Sequence, residues 1–506
     1  MWQRFSLQDV RIIGHYLGVL IMVSSVMYFI PFIMALVLQE WEPASRYLFT
    51  GGLSLVIGGA LRMLYLNPRR LSRQQALAVT GLVWIVLAFI ATIPLYYSGH
   101  FASYADALFE AVSGLTTTGA SIICDLDHLS YTDNMFRFLM HLAGGLGLIV
   151  VALSLGIFGK GGGASLYSAE ARSEHMVPNI VQTARLITKV TLVFVLIGTA
   201  IITVLGIVLG MEPLRALLHA FWISLSGFVT GGFAPTSESI YYYHSFILEC
   251  VLMLLMLCGA INFTLHLEVW NGHVKSFFKD VEIRTMVLWL VVLVAVFAAS
   301  MAASTNFSNL PTMLRRGLFM IVSSFTTTGF QNVTSNEILT VFTSGCFLLL
   351  AIAMAVGGGT GSTAGGIKLS RIGFIFKAIV VRVKETLSPD SARVIVDYYH
   401  LGRQRLTSEN AEEAMTIFML YAVTYTIGAL AGIAAGYDAL QAIYESVCMA
   451  SNGGVIVGIA APGMPTWLEM VYILEMWAGR LEFITLIALV VKIAVSVVPR
   501  RRRVRA

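Results

Sequence analysis

The chain has 506 residues, of which 57% are hydrophobic and only 12% are charged, and its formal net charge at pH 7 is +5. An ordinary soluble protein carries about 25% charged residues, so this composition excludes a soluble globular protein and indicates one that crosses a membrane several times. The basic residues concentrate in short loops, so the positive charge indicates membrane orientation rather than binding to nucleic acid.

Apolar segments of roughly 20 residues, the length needed to cross a bilayer, recur along the whole chain. The first is too long to be a removable signal peptide. The sequence predicts ten spans, near residues 10–38, 46–66, 76–98, 135–158, 188–210, 244–268, 286–304, 338–356, 412–434 and 467–496.

Short basic loops tend to stay in the cytoplasm, and with Met1 inside most of the basic residues fall on that side. They include Arg69, Arg70, Arg73, Lys160, Arg172, Arg185, Lys275, Lys279, Arg284, the segment 368–405 and the tail Arg500 to Arg503. Both termini are therefore predicted to be cytoplasmic. The opposite side carries five arginines, Arg46, Arg137, Arg215, Arg315 and Arg316. It also carries an excess of acidic residues, which would attract cations to a pore mouth, while an ordinary solvated face fits each of them equally well: Glu40, Glu42, Asp106, Asp125, Asp127, Asp133, Glu212, Glu238, Glu337, Asp438 and Glu469.

A twelve-residue pattern occurs four times without gaps, and each copy ends at a glycine. The copies are residues 108–119 (LFEAVSGLTTTG), 221–232 (FWISLSGFVTGG), 318–329 (LFMIVSSFTTTG) and 443–454 (IYESVCMASNGG). Aromatic, aliphatic and small residues at the second, fifth and sixth positions fit a short helix, and the polar residues before the last glycine do not continue it. Each copy lies in an external connection between two predicted spans. We therefore predict four parallel units of span, short helix and span around a pore.

The ends of the four copies are the candidate ion-binding residues. Irregular backbone at membrane depth is tolerated where it lines a water-filled path, potassium filters coordinate ions with backbone carbonyls, and glycine adopts the required torsions without steric cost. The predicted filter residues are Thr116, Thr117, Thr118, Gly119, Val229, Thr230, Gly231, Gly232, Thr326, Thr327, Thr328, Gly329, Ser451, Asn452, Gly453 and Gly454. The second and fourth copies lack the three threonines, so we expect them to bind ions more weakly. Glu110 and Glu445 share the third position and are expected to orient the short helices.

A glycine-rich segment follows the eighth predicted span. Each glycine in a helix costs about 0.5–1 kcal/mol relative to alanine, so a regular helix is not expected there. Apolar residues follow at once, as if a broken span resumed, although a flexible cytoplasmic linker would also fit. A phosphate-binding loop is excluded because Ile367 occupies the position that requires lysine. The residues concerned are Gly357, Gly358, Gly359, Gly361, Gly365, Gly366 and Lys368.

Arg480 interrupts the apolar stretch of residues 467–498. An arginine at the centre of a membrane helix costs roughly 2.5–3.5 kcal/mol on insertion scales, so it should face the protein interior or a water-filled cavity. A structural salt bridge with Glu475 or Glu482 and an electrostatic barrier in the pore are both open interpretations.

These features together resemble the Trk/Ktr/HKT superfamily of potassium transporters, whose members carry four M1-P-M2 units in one polypeptide. The motifs GGGTGSTAGGIK (357–368), GRLEF (479–483) and GGLGLIVVA (144–152) support the resemblance, and the extra N-terminal hairpin is similar to that of the TrkH-type subgroup. The resemblance implies an all-α polytopic membrane protein with four parallel M1-P-M2 pore units around a pseudo-four-fold axis. The expected divisions are the hairpin 1–67 and the units 68–160, 161–270, 271–405 and 406–506.

The same resemblance implies a function. Glycine at all four filter ends goes with potassium as the transported ion, segment 357–368 would obstruct the pore below the filter, and Arg480 would form a charge barrier beside it. It further implies a homodimer in the bacterial inner membrane with both termini in the cytoplasm, and no cofactor bound by this chain. A cytoplasmic TrkA-type ring that binds ATP, ADP or NADH would be the regulatory partner, with segments 368–405 and 500–505 as docking surfaces.

Other functions are open or disfavoured on the same residues. A sodium-selective or sodium/proton-coupled transporter of the same architecture is the alternative. An intramembrane hydrolase would need a nucleophile and base, or paired aspartates, on facing helices, and the sequence has no such pattern, so we expect no enzymatic activity. A receptor or scaffold gives no reason for four re-entrant repeats.

Overall fold

The structure is a computed structural model that describes residues 5–65, 71–154, 180–302, 310–389 and 394–497. Several expectations lie outside these residues: the boundaries at 67/68 and 160/161, the loop residues Arg69, Arg70, Lys160 and Arg172, and the basic tail 500–505. The described part of the chain is almost entirely helical.

The helices are numbered in chain order over the described residues. They are α1 (Leu7–Ser24), α2 (Val26–Leu38), α3 (Trp41–Arg62), α4 (Arg73–Tyr96), α5 (Tyr104–Leu115), α6 (Tyr131–Leu146), α7 (Leu148–Ser154), α8 (Ile180–Val208), α9 (Pro213–Phe228), α10 (Phe246–Gly259), α11 (Phe263–Trp270), α12 (Val274–Lys279), α13 (Val281–Ala302), α14 (Leu310–Phe325), α15 (Ser335–Thr340), α16 (Ser344–Ala355), α17 (Leu369–Leu387), α18 (Ser408–Ala434), α19 (Ala439–Ala450), α20 (Thr466–Arg480) and α21 (Ile484–Val497). A 3-10 helix spans Ser239–Tyr243, and two strands, β1 (Asp397–Tyr399) and β2 (Arg403–Arg405), pair antiparallel.

Five helical segments of the described chain are long and apolar enough to cross a membrane, and α10 with α11 makes a sixth that is bent by 102°. The five are Leu7–Leu38, Arg73–Tyr96, Val181–Val208, Val281–Ala302 and Ser408–Ala434. The chain is therefore a multi-pass helical membrane protein. The predicted spans 135–158, 244–268 and 467–496 each contain a break in the helix.

The breaks fall in the second long helix of each unit. The interrupted pairs are α6 and α7, α10 and α11, α16 and α17, and α20 and α21. The cause in three units is a glycine in tight contact with the C-terminal carbonyl of a short helix, where a Cβ atom would come within 1.9–2.2 Å of the oxygen. The pairs are Gly144 with Leu115, Gly259 with Phe228, and Gly479 with Ala450.

The four short helices α5, α9, α14 and α19 are arranged as a ring. Each packs against the long helix before it and the broken helix after it, and each also contacts the broken helix of the preceding unit. For α5 that third neighbour is α20, so the fourth unit closes on the first. The N-terminal helices α1, α2 and α3 pack against α4 and α6 at the edge of the first unit.

The hairpin of β1 and β2 was not expected from the all-α prediction. Tyr398 pairs with Gln404, and its ring lies 5.0 Å from that of Phe374 in α17. This contact attaches the hairpin to the helix that follows the glycine-rich segment.

Not all of the acidic residues assigned to an exposed outer surface are exposed. Asp106, Asp133 and Glu469 are 4%, 1% and 1% exposed, respectively. Asp133 accepts hydrogen bonds from Arg46 and from the hydroxyl of Tyr47. The expectation that these three carboxylates attract cations from solution is therefore wrong, because they lie inside the helix bundle.

Candidate functional site

Each of the four short helices ends immediately before the last four residues of its repeat. The residue that caps α5, Thr116, has φ −85°, and the equivalent residues Val229 and Ser451 have φ −82° and −85°. The fourth equivalent, Thr326, directly follows the end of α14. The sequence therefore stops all four helices at the same position of the repeat.

The backbone hydrogen bonds of the four turns are also equivalent. In the first turn, the amides of Thr116, Thr117 and Thr118 donate to the carbonyls of Val112, Gly114 and Ser113 at 2.8–3.3 Å. The same donors and acceptors recur, at the corresponding positions, in the turns that begin at residues 229, 326 and 451. The weaker sequence match of the second and fourth copies thus leaves the backbone of their turns unchanged.

Two residues in every turn have positive φ. The first is Thr117, Thr230, Thr327 or Asn452, with φ between 51° and 55°. The second is the terminal glycine, and φ is 79° for Gly119, 85° for Gly232, 98° for Gly329 and 68° for Gly454. A left-handed conformation costs a non-glycine residue roughly 1–2 kcal/mol, so four repetitions indicate a conformation that the surrounding structure enforces.

The terminal glycines bring the four turns together in a closed ring. A Cβ atom on any of them would collide with the next turn in chain order, and the fourth turn meets the first. The distance from the added Cβ atom would be 2.1 Å to Gly231 O for Gly119, 2.0 Å to Thr328 O for Gly232, 2.7 Å to Gly454 Cα for Gly329, and 2.2 Å to Thr118 O for Gly454. No residue with a side chain fits at these four positions.

A cavity of about 150 Å³ lies on one side of this ring. Gly119, Gly232, Gly329 and Gly454 all contribute to its wall, together with polar groups such as Gln331. The threonines, Ser451 and Asn452 are at most 2% exposed. The ring is thus a narrow constriction of backbone that is open to a polar cavity.

The side chains of the turns differ between copies. Thr116 and Thr118 are hydrogen bonded at 2.8 Å, and Thr326 and Thr328 repeat this contact at 2.8 Å. In the fourth copy Asn452 Nδ2 donates to Thr118 Oγ1 at 2.9 Å.

In the second copy Val229 is fully buried, and its side chain meets Gly145 in the break region of α6. His141 packs beside Gly231, and its Nδ1 lies 3.2 Å from the hydroxyl of Ser226. The contacts of Val229 and His141 therefore help to hold this turn in place.

Glu110 and Glu445 hold the chain that leaves the first and fourth turns. Glu110 Oε2 accepts a hydrogen bond from the amide of Ile122 at 3.2 Å, and Glu445 Oε2 accepts one from Val457 at 3.1 Å. Both donors come three residues after a terminal glycine.

Arg137 is the partner of Glu110 that sequence reasoning missed. Its Nε lies 2.9 Å from Glu110 Oε1, and both side chains are fully buried. Its guanidinium carbon lies 4.2 Å from the ring centre of Phe233. Arg137, which the sequence placed on the external side, is thus buried in α6. A buried glutamate on a pore helix requires a counter-charge, and this requirement could have pointed to Arg137.

The segment 357–368 lies against the ring on the side opposite the cavity. Thr363 donates to Gly259 O at 2.9 Å and to Phe228 O at 3.2 Å, and it accepts a hydrogen bond from the hydroxyl of Thr230 at 3.1 Å. The amide of Gly365 donates to Thr327 Oγ1 at 2.6 Å. Segment 357–368 therefore forms hydrogen bonds with two of the four turns.

The predicted glycines of this segment allow it to fold back on itself. A Cβ on Gly357 would lie 2.0 Å from Gly365 O, and one on Gly365 would lie 2.1 Å from Ser451 O of the fourth turn. Gly361 and Gly366 have φ of 63° and 67°. The remaining members, Gly358 and Gly359, pack against Ala260, and Lys368 is 8% exposed and donates through Nζ to Ala364 O.

Arg480 lies beside the same segment. Its Nη1 is 3.2 Å from Thr117 Oγ1 and 3.3 Å from Thr363 O, and its Nη2 donates to the carbonyls of Gly144 and Gly145. The two carboxylates proposed as salt-bridge partners have other contacts: Glu482 forms an ion pair with Arg371 at 2.5 Å, and Glu475 accepts from Ser446 at 2.8 Å.

Comparison with known proteins gives consistent matches over nearly the whole chain. The family model described as "TrkH: Cation transport protein" matches residues 49–496. The Trk system potassium uptake protein TrkH of Salmonella typhimurium is 28% identical over 492 residues, covering 95% of this chain and 98% of that protein. An uncharacterised cation transporter of Methanocaldococcus jannaschii is 27% identical over 492 residues, covering 96% of each. The crystal structure of the potassium transporter TrkH from Vibrio parahaemolyticus matches with a TM-score of 0.80 and 26% identity, covering 95% of this chain and 98% of that one.

Proposed function

Because this chain belongs to the TrkH family of cation transport proteins, we propose that it carries potassium across the bacterial inner membrane through the ring of four glycine turns. The observation that carries this proposal is the closed contact of Gly119, Gly232, Gly329 and Gly454. Four turns with equivalent backbone bonds present four equivalent sets of carbonyls to one axis. Backbone carbonyls that replace the hydration shell are the chemistry of potassium filters.

Selection of potassium over sodium would depend on this backbone geometry. The second and fourth turns differ from the others in side chains but have the same hydrogen bonds and the same signs of φ. We infer that the carbonyl ring keeps four-fold coordination and that the side-chain differences weaken the threonine hydroxyl positions only. Each short helix also directs its negative dipole end toward the axis, which favours a cation there.

We propose that segment 357–368 is the gate. It blocks the path below the ring through contacts with the turns at Thr230, Thr327 and Ser451. Because glycine has no side chain, the backbone of the segment can come this close to the turns. At membrane depth each unsatisfied backbone group would cost several kcal/mol. Opening would require Thr363 and Gly365 to break their hydrogen bonds to Gly259, Phe228, Thr230 and Thr327.

Arg480 would add an electrostatic barrier to this obstruction. Two like unit charges 4 Å apart repel by about 4 kcal/mol at an effective dielectric constant of about 20. A barrier of that size slows passage by roughly a thousandfold. A potassium ion that passes the Thr117 hydroxyl must also pass the guanidinium that donates to it.

The assembly and orientation are further parts of the proposal. We propose a homodimer with both termini in the cytoplasm, controlled by a cytoplasmic TrkA-type ring that binds ATP, ADP or NADH. The helix α17 and the hairpin of β1 and β2 carry basic residues such as Lys377, Lys384 and Arg403 and would offer the docking surface. Movement of α17 would pull directly on the gate, because α17 begins at Leu369, immediately after it.

The test is rubidium uptake into liposomes that contain the purified protein. Potassium transport predicts uptake that is indifferent to excess external sodium and is inhibited by equimolar potassium. Uptake blocked by equimolar sodium would contradict potassium selection and favour a sodium-selective or sodium-coupled transporter.

A further inference from the structure

Three metal-ligating side chains from separate parts of the chain meet where α13 begins. Asp280 directly precedes α13, Glu282 lies in its first turn, and His400 belongs to the turn between β1 and β2. One ligand atom from each lies within 4.8 Å of the others. The three residues are 0%, 3% and 7% exposed, so the cluster is enclosed by protein.

The carboxylates of this cluster are held in position by the backbone around them. Asp280 accepts hydrogen bonds from the amides of Glu282 at 2.9 Å and Leu401 at 3.2 Å, and its Oδ2 lies 3.1 Å from His400 Nδ1. Glu282 Oε1 accepts from the amide and hydroxyl of Thr360 at 2.9 and 2.7 Å. Such outer contacts are the usual means by which proteins orient metal ligands.

We propose that Asp280, Glu282 and His400 bind one divalent transition-metal ion, with Zn²⁺ as the best fit. Zn²⁺ takes imidazole nitrogen and carboxylate oxygen as ligands, and three protein ligands leave a fourth position for water, whereas Mg²⁺ and Ca²⁺ prefer oxygen ligands alone. Ligand atoms about 2.0–2.2 Å from a tetrahedral ion lie roughly 3.4 Å apart. The side chains therefore need only small rotations to close on an ion.

The charge of the cluster supports the same inference. Asp280 and Glu282 bring two carboxylates into one enclosed region, and buried carboxylates are stable only when positive charge or hydrogen bonds compensate them. A divalent ion bound between the two carboxylates would supply such positive charge. Metal binding would displace the proton on the imidazole nitrogen that becomes the ligand.

The position of the site gives it a regulatory role, and this part rests on the proposed gating function. Glu282 bonds to Thr360 inside segment 357–368, and His400 lies in the hairpin that packs on α17. A bound ion would tie the hairpin, the start of α13 and the gate together. We therefore expect Zn²⁺ to hold the gate in its closed position.

Metal binding can be measured without any transport assay. The purified full-length protein is stripped with a chelator, dialysed and titrated with Zn²⁺ and, separately, with Co²⁺, and bound metal is quantified by elemental mass spectrometry. Wild-type protein is expected to retain one ion per chain in the presence of millimolar Mg²⁺ and to show the visible d–d bands of Co²⁺ with nitrogen and oxygen ligands. Absence of a stoichiometric ion and of these bands in folded wild-type protein would overturn the proposal.

Variants identify the ligands. His400→Gln and Asp280→Asn should each weaken Zn²⁺ binding by roughly 100-fold or more, beyond the effect of losing an outer contact. His273→Gln is the matched control, because His273 precedes α12 and has an exposed side chain beside Glu268. Unchanged affinity in folded His400→Gln protein, checked by size-exclusion chromatography and thermal melting, would exclude the site.

Rubidium uptake with and without Zn²⁺ tests the regulatory part. Inhibition by Zn²⁺ in the wild type and the His273→Gln variant, but not in His400→Gln, is the expected result. Stoichiometric binding with no change in uptake would refute the link to the gate and leave the metal site intact. Failure of uptake in all three proteins would count against the proposed transport function only.

Discussion

Arg480 donates a hydrogen bond from Nη1 to the hydroxyl of Thr117 at 3.2 Å, so a cation from the fourth unit contacts the first filter turn. The same nitrogen lies 3.3 Å from the carbonyl of Thr363 in segment 357–368. One guanidinium therefore joins the turn of Thr117, segment 357–368 and the end of α20. In the proposed mechanism, a charge in this position would hold the gate against the filter and oppose a cation on the path.

Replacement of Arg480 by glutamine should raise rubidium uptake in the absence of any partner protein. The variant keeps hydrogen-bond donors but removes the positive charge, so the electrostatic part of the barrier disappears. We expect an increase of at least tenfold, which corresponds to a barrier lowered by about 1.4 kcal/mol or more. The measurement is initial uptake into liposomes of equal protein content.

Arg316→Gln is the matched control for this variant. Arg316 pairs with Glu337 at 3.0 Å near the protein surface, away from the ring of turns, and exposed pairs contribute about 0–1 kcal/mol. Its uptake should equal that of the wild type. Equal uptake in the Arg480→Gln variant would contradict the barrier.

Replacement of Gly232 by alanine should abolish uptake while the protein remains folded. The new Cβ atom would lie 2.0 Å from Thr328 O, at a φ of 85° that alanine disfavours. The second and third turns must then separate, and the carbonyl ring is lost. Uptake and the elution volume in size-exclusion chromatography are measured on the same preparation.

The variant Gly99→Ala is a control that introduces the same backbone strain without a steric collision of the new Cβ atom. Gly99 has a similar φ of 79°, but nothing lies within 4 Å of its added Cβ. The change should cost roughly 1–2 kcal/mol of stability and leave uptake intact. Normal uptake by Gly232→Ala would disprove the assignment of the ring as the ion path.

The positions of the four turns could be predicted from the sequence because each repeat encodes its own local structure. Helix-forming positions, then small polar residues, then a glycine determine where α5, α9, α14 and α19 end. The first residue of α5 was harder to predict. It begins at Tyr104, four residues before the repeat, since Ser103 and Asp106 form a capping box there.

The glycine-rich segment indicated the break in the third unit, but the breaks in the other three second helices could not be predicted from hydropathy. The average hydropathy stays high through Gly147 and through residues 481–483, so a hydropathy calculation assigns each segment to a single span. The breaks instead follow from contacts between helices that are distant in sequence, such as Gly479 with Ala450 O. Likewise, positive φ at Glu482 and Phe483 directs the Glu482 carboxylate toward Arg371, which no local pattern indicates.

Replacement of Arg137 by methionine should strongly destabilise the protein. Methionine fills a similar volume, but Glu110 is then left as a buried carboxylate without its cation, and breaking such a pair costs about 3–5 kcal/mol. The melting temperature in detergent should fall by several degrees. Loss of the bond from Ile122 to Glu110 would also disturb the first turn.

The double variant Arg137→Met with Glu110→Leu tests whether the uncompensated charge is the cause. Removing both charges should recover most of the lost stability, because a buried pair is often no better than an apolar substitute. A double variant as unstable as the single one would show instead that the packing of Arg137 on Phe233 dominates.

Replacement of Thr363 by valine should loosen the proposed gate and leave the carbonyl ring intact, although the hydroxyl of Thr230 loses its bond to Thr363. Valine keeps the shape of the side chain but removes the hydroxyl that donates to Gly259 O and Phe228 O. Losing a buried hydrogen bond costs about 1–3 kcal/mol, so the closed position weakens and basal rubidium uptake should rise about fivefold or more. Sodium competition should not change, because the carbonyl ring is untouched. Thr340→Val, at an exposed position that bonds only within its own helix, should leave uptake at the wild-type level. A lower melting temperature with unchanged uptake would mean that Thr363 supports the fold but does not hold the gate.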